Sequence, residues 1–277
     1  MKEAVVENKM AENLEESEGN YMRVMLKIAY DGTAYHGWQY QDNGDTVEGE
    51  IRKALNALLG KEIETIGASR TDAGVHALSN VCVFDTDSTI PGDRFSFALN
   101  DILPGDIRIT ESGYVDKTFN PRFDAHSKTY IYSIYNGPVH LPTKRLYSYH
   151  YRGNISIDDM NAAAKYLVGE HDFTSLSSVH AQVKSRVRTI YDCRVRRLTD
   201  DENTIEISVT GNGFLYNMVR IIGGTLLEIG IGKISPNQME EILLALDRTK
   251  AGRTLPACGL RLVDIEYPSL NHTAYSN

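Results

Sequence analysis

The sequence predicts an α+β protein built as two successive halves. Three observations carry this reading. Stretches with strand-type alternation recur along the chain, separated by stretches whose apolar residues repeat at helical spacing. The order strand, helix, strand, strand, helix, strand occurs twice, the second time with one extra helix. The 277 residues, 42% of them apolar, also suffice for a sizeable core in one large domain or two modest ones.

The elements follow in order. Residues 1–20 hold six Glu and two Lys, so they carry −4 of the net −8. They read as a disordered acidic extension. MRVMLKIAYDG (22–32) is a strand that runs into an Asp-Gly turn. TVEGEIRKALNALLGK begins at Thr46, a cap residue, and its apolar positions share one helical face until Gly60. EIETIGAS (62–69) and SNVCVFDTD (79–87) read as strands. DRFSFALNDIL (93–103) reads as a helix closed by Pro104-Gly105, and DIRITESGYV (106–115) as a strand.

The second pass starts with the strand KTYIYSIY (128–135) and a long loop over 136–154. SIDDMNAAAKYLVG (156–169) has a serine cap and a glycine stop. VRTIYDCRVRRL (187–198) and TIEISVTG (204–211) form a hairpin about TDDEN. Helices are expected over 214–230 and 234–246, and a strand over 259–267. Each pass has the split βαβ order of a ferredoxin-like unit. The expected division is an extension at 1–20, an N-terminal half at 21–125, a C-terminal half at 126–268 and a tail at 269–277. The two mainly antiparallel sheets are expected to adjoin, with the active-site cleft between the halves.

Bulk properties narrow the function classes. No apolar run approaches the ~20 residues of a membrane-spanning helix, and the acidic start is unlike a signal peptide. Cys82, Cys193 and Cys258 are widely spaced, which suits buried free thiols in a reducing cytoplasm rather than a disulfide framework or zinc site. The net charge alone argues against nucleic acid. Yet KSRVRTIYDCRVRR (184–197) carries six Lys or Arg and one Asp, so a local basic groove is permitted.

The loop GASRTDAGVH (67–76) raises the question of chemistry. Thr71, Asp72 and Gly74 alone could simply turn the chain. Arg70 adds a forked donor for phosphate or carboxylate, and Ala73 and Gly74 leave room beside the carboxylate. Asp72 and His76 are too few for a metal site, and no GxSxG elbow accompanies Ser69 and His76. A solitary carboxylate working with an arginine remains.

RTDAGVH (70–76) resembles the active-site segment of the TruA family of tRNA pseudouridine synthases. YDGTAYHGWQYQ (30–41), FNPRFDAHSKTYIYSIY (119–135), HDFTSL (171–176), GNGFLYNMVRIIGGTL (211–226) and PACGLRL (256–262) resemble further family blocks, in the family's order. The resemblance spans about 21–268. It implies isomerisation of uridine at tRNA positions 38, 39 and 40, in the anticodon stem-loop, by a cytoplasmic homodimer using neither metal nor organic cofactor. It implies that Asp72 is the essential aspartate, that Arg70 helps extrude the target base, and that Tyr130 is the active-site tyrosine. Arg220 becomes the arginine paired with Asp72, and Leu260 the apolar wall of the uracil pocket. Read without the family, Tyr130 is one of several sheet tyrosines, Arg220 a helix-surface cation and Leu260 core. An arginine beside Asp72 is expected to keep its pKa low. Tyr130 is expected to stack on the detached uracil, or else to assist deprotonation at C5. Ser69 stands where many members have glycine, and Asn217 where histidine is common. The roles of His76, Trp38 and Asn217 stay open, as does a catalytically inactive RNA-binding protein on the same fold.

Overall fold

The structure, a computed structural model, describes residues 21–180 and 183–268. The expected extension at 1–20 and tail at 269–277 lie outside the described residues. The N-terminal half runs β1 (Met22–Tyr30), α1 (Val47–Leu59), β2 (Ile66–Gly67), β3 (His76–Thr86), α2 (Phe95–Asn100) and β4 (Ile107–Val115). The C-terminal half runs β5 (Ser127–Tyr135), β6 (Tyr149–His150), α3 (Ile157–Ala164), β7 (Gly169–Asp172), β8 (Val187–Arg197), β9 (Thr204–Gly211), α4 (Met218–Gly230), α5 (Gln238–Ala245) and β10 (Leu260–Glu266).

One mixed sheet joins both halves, in the order β4-β1-β3-β10-β5-β9-β8-β7, with β2 beside β3 and β6 beside β5. Neighbours along this path are antiparallel except β3 and β10, which run parallel over Arg261↔His76 and Leu262↔Ala77. The halves therefore meet where the loop carrying Asp72 enters β3. Arg261 strengthens the joint. It spans from β10 to the buried Glu206 carboxylate of β9 and donates to Ser133 Oγ on β5 at 2.6 Å.

Local signals formed as expected at several ends. Thr46 Oγ1 accepts from the Gly49 amide at 3.2 Å, and Gly60 closes α1 at φ 69°. Ser156 Oγ accepts from the Asp159 amide at 3.2 Å. Cys82 and Cys193 are buried in their strands, whereas Cys258, expected to be buried too, is only partly so.

Other elements differ. Of the strand expected at 62–69, only Ile66–Gly67 pairs with β3. The preceding residues are captured by α1: the Ile63 amide donates to Asn56 Oδ1 at 2.7 Å, Glu64 pairs with Arg52, and Thr65 Oγ1 donates to Glu48 Oε1 at 2.9 Å. The helix expected from 214 starts at Met218, because Asn217 adopts a left-handed conformation at φ 60°. The helix expected from 234 starts at Gln238, after a turn in which Gln238 Oε1 accepts from the Ser235 amide at 2.9 Å. The helix expected over 93–103 is regular only over Phe95–Asn100. Gly169, expected to stop a helix, opens β7 at φ 114°, a strand that the sequence did not signal.

The loop between β1 and α1 is the backing of the Asp72 loop. The Trp38 amide donates to the Thr71 carbonyl at 3.0 Å, and the Gly74 amide to the Tyr35 carbonyl at 3.2 Å. Trp38 is fully buried, so it serves the core and does not face solvent. Gly37 has φ 94°, and a Cβ there would lie 2.7 Å from the Thr71 carbonyl oxygen. Both the conformation and the space exclude a side chain. Gly37→Ala is expected to cost about 2 kcal/mol, since the left-handed backbone alone costs roughly 1–2. Thermal unfolding should show a Tm lower by several degrees, and an unchanged Tm would contradict this packing.

Candidate active site

Asp72 sits in the loop that leads into β3. Three buried hydroxyl or amide groups hold this loop from beneath. Tyr30 Oη and Thr71 Oγ1 are 2.7 Å apart, Asn80 Nδ2 donates to the Ser69 carbonyl at 2.9 Å, and the same Nδ2 donates to Tyr30 Oη at 3.3 Å. A polar Asn80 inside the apolar strand NVCVF is the one sequence signal for this support, and motif reading passes over it.

Arg220, in the first turn of α4, stands behind the carboxylate. Its Nε donates to the Leu255 carbonyl at 2.7 Å and its Nη1 to Asn217 Oδ1 at 2.7 Å. The same Nη1 reaches Asp72 Oδ2 at 3.4 Å. Asn217 thus orients the arginine, which answers the question left by its departure from histidine. The left-handed turn at Asn217 brings its amide oxygen within reach of the guanidinium.

The pairing does not hold the Asp72 pKa low. Burial raises the carboxyl above its ordinary value and outweighs the opposing pull of Arg220. The reason is geometric. At 3.4 Å the arginine supplies charge more than a good hydrogen bond, and its two short bonds go elsewhere. A carboxylate with few donors around it is the better base and nucleophile.

Asp72 opens into a cleft of about 350 Å³, within the ordinary range for small-molecule sites. Arg70, Tyr130 and Leu260 also line it, so the residues singled out from sequence converge, with Arg220 lying behind Asp72. Arg70 is exposed at the rim, and among the described residues nothing pairs with its side chain. Leu260, the first residue of β10, is 6% exposed. Tyr130 Oη lies 2.8 Å from Ser69 Oγ, and its ring meets Phe214 edge-on at 5.2 Å. Burial pushes the phenol up to about 12, so it is protonated at neutral pH and poorly suited to take a proton. Ser69 is the partner of that buried hydroxyl.

Two further cations line the cleft that sequence reasoning did not single out, Arg122 and Lys128. The basic run at 184–197 is largely spent on the protein itself. Arg186 donates to Ser177 and Ser178, Arg194 pairs with Asp192, and Arg196 pairs with Glu206. His76 does not line the cleft. Its Nδ1 accepts from the Gly32 amide at 3.1 Å, and its Nε2 lies 2.9 Å from the Leu146 carbonyl, so it fastens the loop 136–154 to the start of β3.

A family model described as tRNA pseudouridine synthase matches residues 27–124 and 163–268. The tRNA pseudouridine synthase A of Ruminiclostridium cellulolyticum is 49% identical over 245 residues, covering 88% of this chain and 99% of that protein. The protein of the same name from Acetivibrio thermocellus is 48% identical over 244 residues, with the same coverage. A solved H/ACA ribonucleoprotein bound to a substrate RNA aligns with 87% of this chain and 47% of that chain, at 12% identity and a TM-score of 0.36.

Two expectations follow from the site's energetics. Ser69→Ala leaves the buried Tyr130 hydroxyl without its partner and is expected to lower stability by about 1 kcal/mol, measured by urea unfolding. Asp72→Asn acts in the opposite direction. Because the folded-state pKa is raised, ionisation penalises the folded chain above that value and not below the ordinary carboxyl pKa of about 4. The substitution should therefore raise Tm at pH 7, with the gap closing as the pH approaches about 4. Arg220 keeps its bonds to Leu255 and Asn217 in the variant. Calorimetry at the two pH values checks the sign.

Proposed function

The chain belongs to the TruA family of tRNA pseudouridine synthases, and we propose from that premise how its cleft converts uridine to pseudouridine and where on tRNA it acts. The reaction breaks the N1–C1′ bond, turns the uracil and rejoins it through C5. The target nucleotide must first leave its stack, at a cost of a few kcal/mol. Arg70, exposed at the rim and unpaired among the described residues, either fills the vacated space or holds a neighbouring phosphate.

Asp72 then acts on the ribose. It either attacks C1′ as a nucleophile or removes the C2′ proton. Arg220 keeps the carboxylate oriented, and the burial that raises its pKa adds to its reactivity. The Tyr130 ring offers a stacking face for the free uracil, with Leu260 as the apolar wall. The protonated phenol favours stacking over proton abstraction at C5.

The proposed target is the anticodon stem-loop at positions 38, 39 and 40, and the proposed assembly a cytoplasmic homodimer that needs neither metal nor organic cofactor. These rest on the family resemblance. Among the described residues no helix is long and apolar enough to cross a membrane. We also read the chain as two ferredoxin-like halves. The strand orders β4-β1-β3-β2 and β10-β5-β9-β8 support this, since each repeats the 4-1-3-2 arrangement of such a unit.

The observation that carries the mechanism is one carboxylate, half-buried against an arginine, at the wall of a cleft that also holds cations, aromatic rings and apolar side chains. A purely RNA-binding protein has no use for that charge in that place. Incubation with C5-tritiated tRNA is expected to release tritium with the wild type. Asp72→Asn should lower release at least ~10³-fold while tRNA affinity stays within a few-fold. Release at the wild-type rate by the variant would overturn the assignment of Asp72.

A further inference from the structure

Lys128 is the least expected charge in the cleft. It lies on β5, two residues before Tyr130, so the two side chains share a face of the sheet. Both line the cleft. Lys128 is only 9% exposed. Its Nζ donates to the Ala68 carbonyl at 2.7 Å, and among the described residues no carboxylate pairs with it. Lys128 and Tyr130 thereby touch consecutive residues of the Asp72 loop, Ala68 and Ser69.

An ammonium desolvated without a counter-charge is costly, and a methionine or glutamine would fill the space more cheaply. The surroundings add to the cost. Burial and the neighbouring Arg122 both oppose the charge, bringing the amine down to about 8. One backbone carbonyl uses only one of its three N–H donors. The remaining donors and the charge are available to whatever occupies the cleft.

We propose that Lys128 contacts the uracil as it departs, its ammonium donating to a ring carbonyl oxygen while negative charge develops there. This rests on the uridine-isomerising reading of the cleft. The chemistry creates the need. When C1′–N1 breaks, its electron pair leaves with the uracil, and the ring becomes an anion with charge on N1, O2 and O4. At C1′ the lost bond is replaced by an ester bond to Asp72, or by a C1′–C2′ double bond after Asp72 takes the C2′ proton. C5 then bonds to C1′. The carboxylate leaves, or the C2′ proton returns from Asp72. The C5 proton passes to solvent, and N1 takes up a proton. No oxidant or reductant enters. A cation placed beside the stacking ring stabilises the anion between the two bond changes. The rim arginines Arg70 and Arg122 are exposed and suit phosphates, whereas the buried Lys128 suits the ring.

The test compares Lys128→Met, Lys128→Gln and Lys128→Arg in single turnover at saturating C5-tritiated tRNA. Tritium release by the wild type secures the underlying reading, so its absence would count against that reading rather than against Lys128. With it secured, Lys128→Met and Lys128→Gln are expected to be ~10²-fold slower. Affinity for tRNA should stay within about threefold and Tm should not fall, since an unpaired buried charge is removed. Lys128→Arg should recover part of the rate. Lys128→Gln retains a donor for the Ala68 carbonyl, so release within threefold of wild type by that variant would overturn the proposal. A second readout uses tRNA carrying 5-fluorouridine, whose ring leaves more readily as an anion. Single-turnover loss of 5-fluorouridine, measured in nuclease digests, should show a Lys128→Met defect at least tenfold smaller than that on uridine. Equal defects on both substrates would mean that Lys128 only positions the loop, and would also overturn the proposal.

Discussion

The burial of one carboxylate against a cation from the other half of the chain is the constraint on which this structure turns. Asp72 and Arg220 are 148 positions apart and belong to different halves. They meet only because β3 and β10 run side by side at the place where the Asp72 loop ends. Everything near that joint serves the placement. Trp38 and Tyr35 hold the loop backbone, Asn80 and Tyr30 hold it from within, and His76 ties the long loop 136–154 to the same point. Arg261 and Glu206 brace the three strands on the far side. A buried charge tolerates little freedom, so the support is dense where the charge is.

The distribution of charge follows from the same site. The chain is acidic overall, at −8, yet the cleft presents Arg70, Arg122 and Lys128 around one Asp72. A polyanionic substrate responds to the local field and not to the sum over the molecule. The conspicuous basic run at 184–197 does not line this cleft. Its arginines lie on or just before β8 and bond to nearby carbonyls, hydroxyls and carboxylates. The cations of the cleft are isolated residues from separate segments.

Some parts of the fold were legible because they depend on neighbours in sequence. Thr46, Ser156 and Gly60 ended helices as their side chains or backbone freedom dictate. The hairpin of β8 and β9 followed from alternation on either side of a polar turn. Other parts depended on distant partners. The segment 62–65 alternates like a strand, yet α1 competes for its hydrogen bonds and wins. The helix α4 starts late because Asn217 turns left-handed and its amide binds Arg220. For the same reason the pKa of Asp72 had the wrong expected sign. Sequence indicated an arginine partner, but not that the arginine would be engaged twice elsewhere while the carboxylate lost its water.

The sequence by itself determined the repeated order of elements, the ordered motif blocks and through them the class of reaction. Through the resemblance of those blocks it also marked Asp72, Arg70, Tyr130, Arg220 and Leu260 as candidates. Only the tertiary structure decided which groups share the cleft and how burial and pairing act on the Asp72 carboxyl. It set Ser69 against the Tyr130 hydroxyl, Asn217 against Arg220, and Lys128 in the cleft without a counter-ion among the described residues. The physical reason is range. Caps, turns and alternation act within a few residues, whereas desolvation and pairing depend on which surfaces folding brings together.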